Sequence, residues 1–158
     1  MPSATHGEAH VHVNAPAEQV YALVTDVTRM GEWSPETNHC EWLDGATGPA
    51  VGARFRGANH LGPIKWHTEC VITAADPGRE FAFTVVHPSG RESTIWRYVF
   101  TATDAGTDVV ETYKFLWCPI ASRAFETFIP RDRQLRAGIA QTLQNVKVFA
   151  EANSALPS

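Results

Sequence analysis

Two strand-like runs late in the chain carry the side chains with the most chemistry, STIWRYVF (93–100) and DVVETYKFLW (108–117). The first places an aromatic ring at every second position: Trp96, Tyr98 and Phe100. The second collects Val109, Glu111, Tyr113, Phe115 and Trp117 on one parity. Alternate residues of a strand share a face, so Glu111 and Tyr98 are expected to lie among rings. An apolar wall raises the pKa of a carboxyl, which can then serve as a general acid or base. Tyr98 can donate a hydrogen bond to a ligand carbonyl or steady an enolate. The plainer alternative makes Glu111 a structural carboxylate tied to Arg97, Tyr98 or a backbone amide.

Other candidates share that face. Trp66, Phe83, Trp96, Tyr113, Phe115 and Trp117 are expected to line a ligand site, with ordinary core packing as the alternative. Asn59 and His87 sit near strand ends and could orient a ligand. Trp33, at a Gly-to-Pro corner, reads as a plug between helices and sheet. No metal is expected: His10 and His12, with His6 nearby, fall on a solvent face without an acidic or Cys partner. No GxSxG supports a serine triad. Gly45, Gly48 and Gly52 are not followed by a helix, so they do not cradle phosphate.

The elements that must position these residues follow from period and punctuation. EAHVHVN (8–14) alternates as a half-buried strand. Asn14 is a candidate helix cap and Pro16 suits a first turn. Val20, Leu23, Val24 and Val27 then form one helical stripe, and a second short turn ends by Pro35. Six strand-like runs follow, broken at GATGPAVG, HLGP, DPG, PSG and DAG, whose Gly, Pro and Asp suit tight reversals. After a Pro-bracketed stretch, 119–130, residues 131–152 repeat Leu135, Ile139, Leu143, Val146 and Ala150 at helical spacing. The expectation is an α+β fold: a curved seven-stranded antiparallel sheet, two short helices after its first strand, and a long C-terminal helix across its apolar face. Sheet curvature holding that helix away would leave a ring-walled cavity containing the polar groups of Glu111, Asn59, His87, Tyr98 and Tyr113.

The chain has 158 residues, 44% hydrophobic and 19% charged, and a net charge of −4. One domain spanning 1–158, with an ordered core of about 8–152, is expected. The acidic balance argues against nucleic-acid or anionic-membrane surfaces. Three widely spaced cysteines, Cys40, Cys70 and Cys118, suggest free thiols in a reducing compartment. No leader-like start or membrane-length apolar run is evident, so a cytoplasmic location without stable membrane insertion is expected.

Three blocks, VNAPAEQVYALVTDVTRMGEWSP (13–35), GARFRGANHLGPIKW (52–66) and TLQNVKVFAEA (142–152), together with the strand order, resemble the START/Bet v 1-like (SRPBCC) superfamily. The similarity is to its polyketide cyclase/dehydrase and lipid-transport branch. It implies a helix-grip fold with a ligand cavity between sheet and C-terminal helix. Such proteins include carriers, aromatase/cyclases and chaperone cofactors, and they share no single catalytic motif. The segment 119–130 is longer than the plain link the resemblance implies and is a candidate lid.

The primary expectation is therefore a protein binding a small hydrophobic, aromatic or lipid-like molecule, with no cofactor. The alternative is a polyketide cyclase, aromatase or dehydratase in which Glu111 and Tyr98 are the acid–base pair. A chaperone-cofactor role ranks last, because the outer face is charged. A homodimer is one open possibility for assembly.

Overall fold

The computed structural model describes residues 6–117 and 131–154. Its elements are β1 (His6–Val13), α1 (Ala17–Thr25), a 3₁₀ helix (Val27–Glu32), β2 (Thr37–Trp42), β3 (Arg54–Leu61), β4 (Ile64–Asp76), β5 (Glu80–Val86), β6 (Glu92–Thr103), β7 (Gly106–Phe115) and α2 (Arg131–Ser154). All seven strands join one antiparallel sheet in the order β1-β7-β6-β5-β4-β3-β2. β2 to β7 form a meander, and β1 pairs back onto β7. This curved sheet with its long C-terminal helix is the helix-grip fold. The expected lid, 119–130, and Cys118 lie outside the described residues.

The turn chemistry acts where expected. Gly106 opens β7 at a φ of 137°, and a Cβ there would sit 2.2 Å from the Val13 carbonyl oxygen. Only glycine lets the β6–β7 turn close against the end of β1. The start of α1 departs from the expectation. Its cap is Pro16, which makes no side-chain capping bond, while its carbonyl accepts from Gln19 and Val20. Asn14 instead donates its backbone N–H to the Glu151 carboxylate at 3.0 Å. The bend at Asn14 and Ala15, followed by an extended Pro16, delays the helix by two residues and leaves Asn14 to meet α2.

Charges occupy the outer face. Arg54 pairs with Glu69 at 2.7 Å across β3 and β4, and Arg97 with Glu80 at 2.9 Å across β6 and β5. The α2 backbone lies nearest β1. Arg136 donates to the His6 carbonyl (2.7 Å) and Lys147 to the His12 carbonyl (2.8 Å), so α2 runs alongside β1 in the same sense. These two cations cover carbonyls of an edge strand that would otherwise be free to pair elsewhere. Trp33 is buried, meets Phe149 edge-on at 6.1 Å and accepts Asn145 Nδ2 on its carbonyl at 2.9 Å. It plugs the corner between the 3₁₀ helix and α2.

Candidate functional site

Because α2 hugs the β1 edge, the described residues leave the middle of the sheet unfilled. A chamber of about 260 Å³ opens between Leu135, Gly138, Ile139 and Thr142 of α2 and the inner faces of β2 to β7. Trp66, Phe83, Trp96 and Phe115 supply rings to its wall, together with Phe55. Phe55 and Phe83 meet edge-on at 5.0 Å, so the wall is braced by ring contacts rather than left soft.

Glu111 and Tyr98 are cross-strand partners in the β6–β7 register and both face this chamber. Glu111 is 3% exposed and Tyr98 5%. Burial pushes the Glu111 carboxyl up to about 8, while a hydrogen bond from the Tyr98 hydroxyl pulls it only partly back. Burial, and then the Glu111 charge, push the Tyr98 phenol well above its ordinary value. Glu111 Oε1 is buried and has no hydrogen-bond partner among the described residues. Arg97 does not neutralise it, since the alternation of the strand turns that guanidinium outward to Glu80. The plainer alternative makes Arg97, Tyr98 or a backbone amide the partner of Glu111, and of the two side chains Tyr98 is the one that stands opposite it on the inner face.

Asn59 also faces the chamber, but its amide is engaged. Its Oδ1 accepts from Thr37 at 3.0 Å and its Nδ2 donates to Thr68 Oγ1 at 3.2 Å. This holds the β2, β3 and β4 strands together at one end of the wall.

Three of the residues expected at the site stand elsewhere. His87 falls just past the end of β5, where its Nδ1 lies 2.9 Å from Ser89 Oγ. Trp117 falls past the end of β7, packs edge-on to His87 at 5.0 Å and lies under the Arg91 guanidinium. Both strands end too early to present these rings to the chamber. Tyr113 does point inward but packs with Leu135 and Ile139, its ring filling the slot left by Gly7 on β1. A Cβ at Gly7 would lie 2.5 Å from that ring.

Several chamber residues escaped the sequence-based site. Met30, Ser34, Pro35, Glu36 and Thr37 come from the corner between the 3₁₀ helix and β2, which has no period to read. Cys40 and Cys70 sat on the correct parity but suggested only free thiols. They are indeed free and buried, with burial pushing Cys40 up to about 12 and Cys70 higher still. Neither is a ready nucleophile. No group of three or more metal-ligating His, Cys, Asp or Glu side chains occurs among the described residues. His12, read as lacking an acidic neighbour, has one: Asp108, its β7 partner, at 2.7 Å.

This sheet, grip helix and ring-walled chamber define the class. The family model for polyketide cyclase / dehydrase and lipid transport proteins matches residues 4–150, and the chain belongs to that family. It is similar to the polyketide-cyclase-like protein Cgl2372 from Corynebacterium glutamicum, at 32% identity over 97% of this chain and 95% of that one, with a TM-score of 0.64. The protein CV1439 from Chromobacterium violaceum shares the fold at 18% identity, covering 93% of this chain and 98% of that one, with a TM-score of 0.70. The di-domain aromatase/cyclase StfQ of the steffimycin biosynthetic pathway shares it at 16% identity, over 96% of this chain and 52% of that one, with a TM-score of 0.73. No curated protein matches the chain. No described helix is long and apolar enough to cross a membrane.

Proposed function

We propose that the protein binds a small hydrophobic, ring-containing molecule in the chamber between its sheet and α2. The observation that carries this reading is an aromatic-walled void holding a buried carboxyl with an unpartnered oxygen. A dry core would not retain such a group, because an unsatisfied buried polar atom costs about 1–3 kcal/mol. Apolar burial supplies affinity at roughly 25 cal/mol per Å², while Glu111 and Tyr98 fix orientation. The test is an amide NMR titration with naphthalene. Shifts should concentrate on chamber residues such as Phe83, Cys70 and Ile139. Uniformly silent spectra up to the solubility limit would remove the reading.

The second reading is catalysis, and one observation favours it. A carboxyl held near 8 beside a phenol is matched to proton transfer near neutral pH. Glu111 would take a proton adjacent to a ketone carbonyl while Tyr98 donates to the forming enolate. Deuterium exchange into the α-position of a cyclic ketone measures this directly. A Glu111→Gln variant should lose 10²-fold or more of any acceleration. Exchange no faster than in buffer would leave binding alone.

A further inference from the structure

Resting on the binding reading above, the structure also narrows what the chamber takes. A cavity of roughly 150 Å³ lined by apolar side chains suits a single benzene ring. Scaled by volume, about 260 Å³ suits two fused six-membered rings. The polar inventory is narrower still. Asn59 is engaged by Thr37 and Thr68, and Thr142 Oγ1 is spent on the Gly138 carbonyl at 2.8 Å. Two buried polar side-chain atoms lack a partner among the described residues, His60 Nδ1 and Glu111 Oε1, and of these two residues only Glu111 lines the chamber.

The character of that atom follows from its surroundings. Tyr98 donates toward the Glu111 carboxyl, and no cation among the described chamber-lining residues faces it. An ionised carboxylate in such a place would lack both solvent and counter-charge, whereas a neutral carboxylic acid needs only an acceptor for its own proton. We infer that the chamber selects neutral bicyclic molecules bearing one oxygen acceptor, a ketone or similar carbonyl, seated on the Glu111 carboxyl. It should discriminate against the bare hydrocarbon, which leaves the carboxyl unpartnered. Carboxylate analogues should fare worse, because they set acceptor against acceptor.

The titratable groups lining the chamber among the described residues are Glu36, Cys40, Cys70, Tyr98 and Glu111. Burial pushes Cys40, Cys70 and Tyr98 all upward, which leaves Glu111 as the deep group that ionises first as pH rises. The preference for an acceptor should therefore vanish in alkali.

Calorimetric or NMR titration with tetralin, 1-tetralone and 2-naphthoate tests this. At pH 6.5, 1-tetralone should bind about ten-fold or more tighter than tetralin, the factor expected when a buried donor gains its partner. It should exceed 2-naphthoate by at least as much. At pH 9.5 the tetralone advantage should fall towards one. Glu111→Gln keeps a donor, so it should retain the preference at both pH values. If that variant does not fold, the two pH values on the natural protein decide alone. Equal binding of tetralin and 1-tetralone, or preferred binding of the carboxylate, would overturn the acceptor assignment while leaving the chamber a binding site. Failure of all three to bind would take the binding reading with it.

Discussion

One face of one sheet is filled in two different ways. In the β6–β7 register, Phe100 opposes Val109, Tyr98 opposes Glu111 and Trp96 opposes Tyr113. At the first pair α1 lies on the sheet. Val13, Val20, Val24, Phe81 and Val109 are all within 2% of complete burial there, and Tyr21 meets Phe100 edge-on at 5.5 Å. The buried hydroxyl of Thr107 at this end is satisfied by the Ala15 carbonyl at 2.7 Å. Two residues further along each strand α1 no longer covers the sheet, α2 stands over the β1 edge, and the face turns polar around a void. The fold concentrates close packing at one end, which frees the other end to carry a carboxyl that packing alone would reject.

The largest test of that division compares two ring deletions. Phe100→Ala removes a ring from the closed end and should cost about 3–5 kcal/mol, the usual range for a buried phenylalanine. Phe115→Ala removes a half-buried ring from the chamber wall, where the void already withholds partner atoms. It should cost less than half as much. Urea denaturation of both variants reads the difference. Equal losses would mean that the chamber end is packed as tightly as the other.

The second test uses pH. In the unfolded chain Glu111 ionises near 4.5, whereas in the folded protein it does so near 8. Between these values the folded state holds a proton that the unfolded state has released. Stability therefore falls as pH rises through this window and levels off above it. The loss attributable to Glu111 is on the order of a few kcal/mol, since each pKa unit corresponds to about 1.4 kcal/mol. Glu111→Gln should flatten that part of the profile and be more stable than the natural protein at pH 8.5. Parallel urea midpoints for the two proteins from pH 5 to 9 would show that the carboxyl is solvated.

The closed end and the strand faces were readable because both rest on period. Val20, Leu23, Val24 and Val27 announce α1, and strict alternation places Trp96, Tyr98 and Glu111 inward. Parity also assigned Asn59 and Trp66 to the inner face, where they stand. What alternation does not encode is where a strand stops. His87 and Trp117 keep the correct parity but lie one or two residues past the ends of β5 and β7, where they pack against each other outside the chamber. Tyr113 shows a different limit. Its face was legible, but its ring follows the slot above Gly7, a vacancy in a strand about a hundred positions away. Met30, Ser34 and Pro35 reach the chamber through a 3₁₀ corner whose geometry has no repeat to reveal it.

The smallest effect lies at the surface beyond the closed end, where a titratable group is held by hydrogen bonds instead of burial. Both ring nitrogens of His12 face acceptors, Asp108 Oδ1 at 2.7 Å and the Ala105 carbonyl at 3.1 Å. Only the imidazolium carries a proton for each, and the Asp108 hydrogen bond is the main cause raising the His12 pKa above its ordinary 6.5. This contact is fully formed below about pH 6.5 and is lost as pH rises through the raised value. Its direction with pH matches that of Glu111, but the cause is opposite: a cation gains a partner instead of an acid losing its solvent. Asp108→Asn should return the His12 ring signal in an NMR titration towards 6.5 and leave the Glu111 part of the urea profile unchanged. A His12 signal unmoved by that substitution would assign the rim's stability to backbone pairing alone.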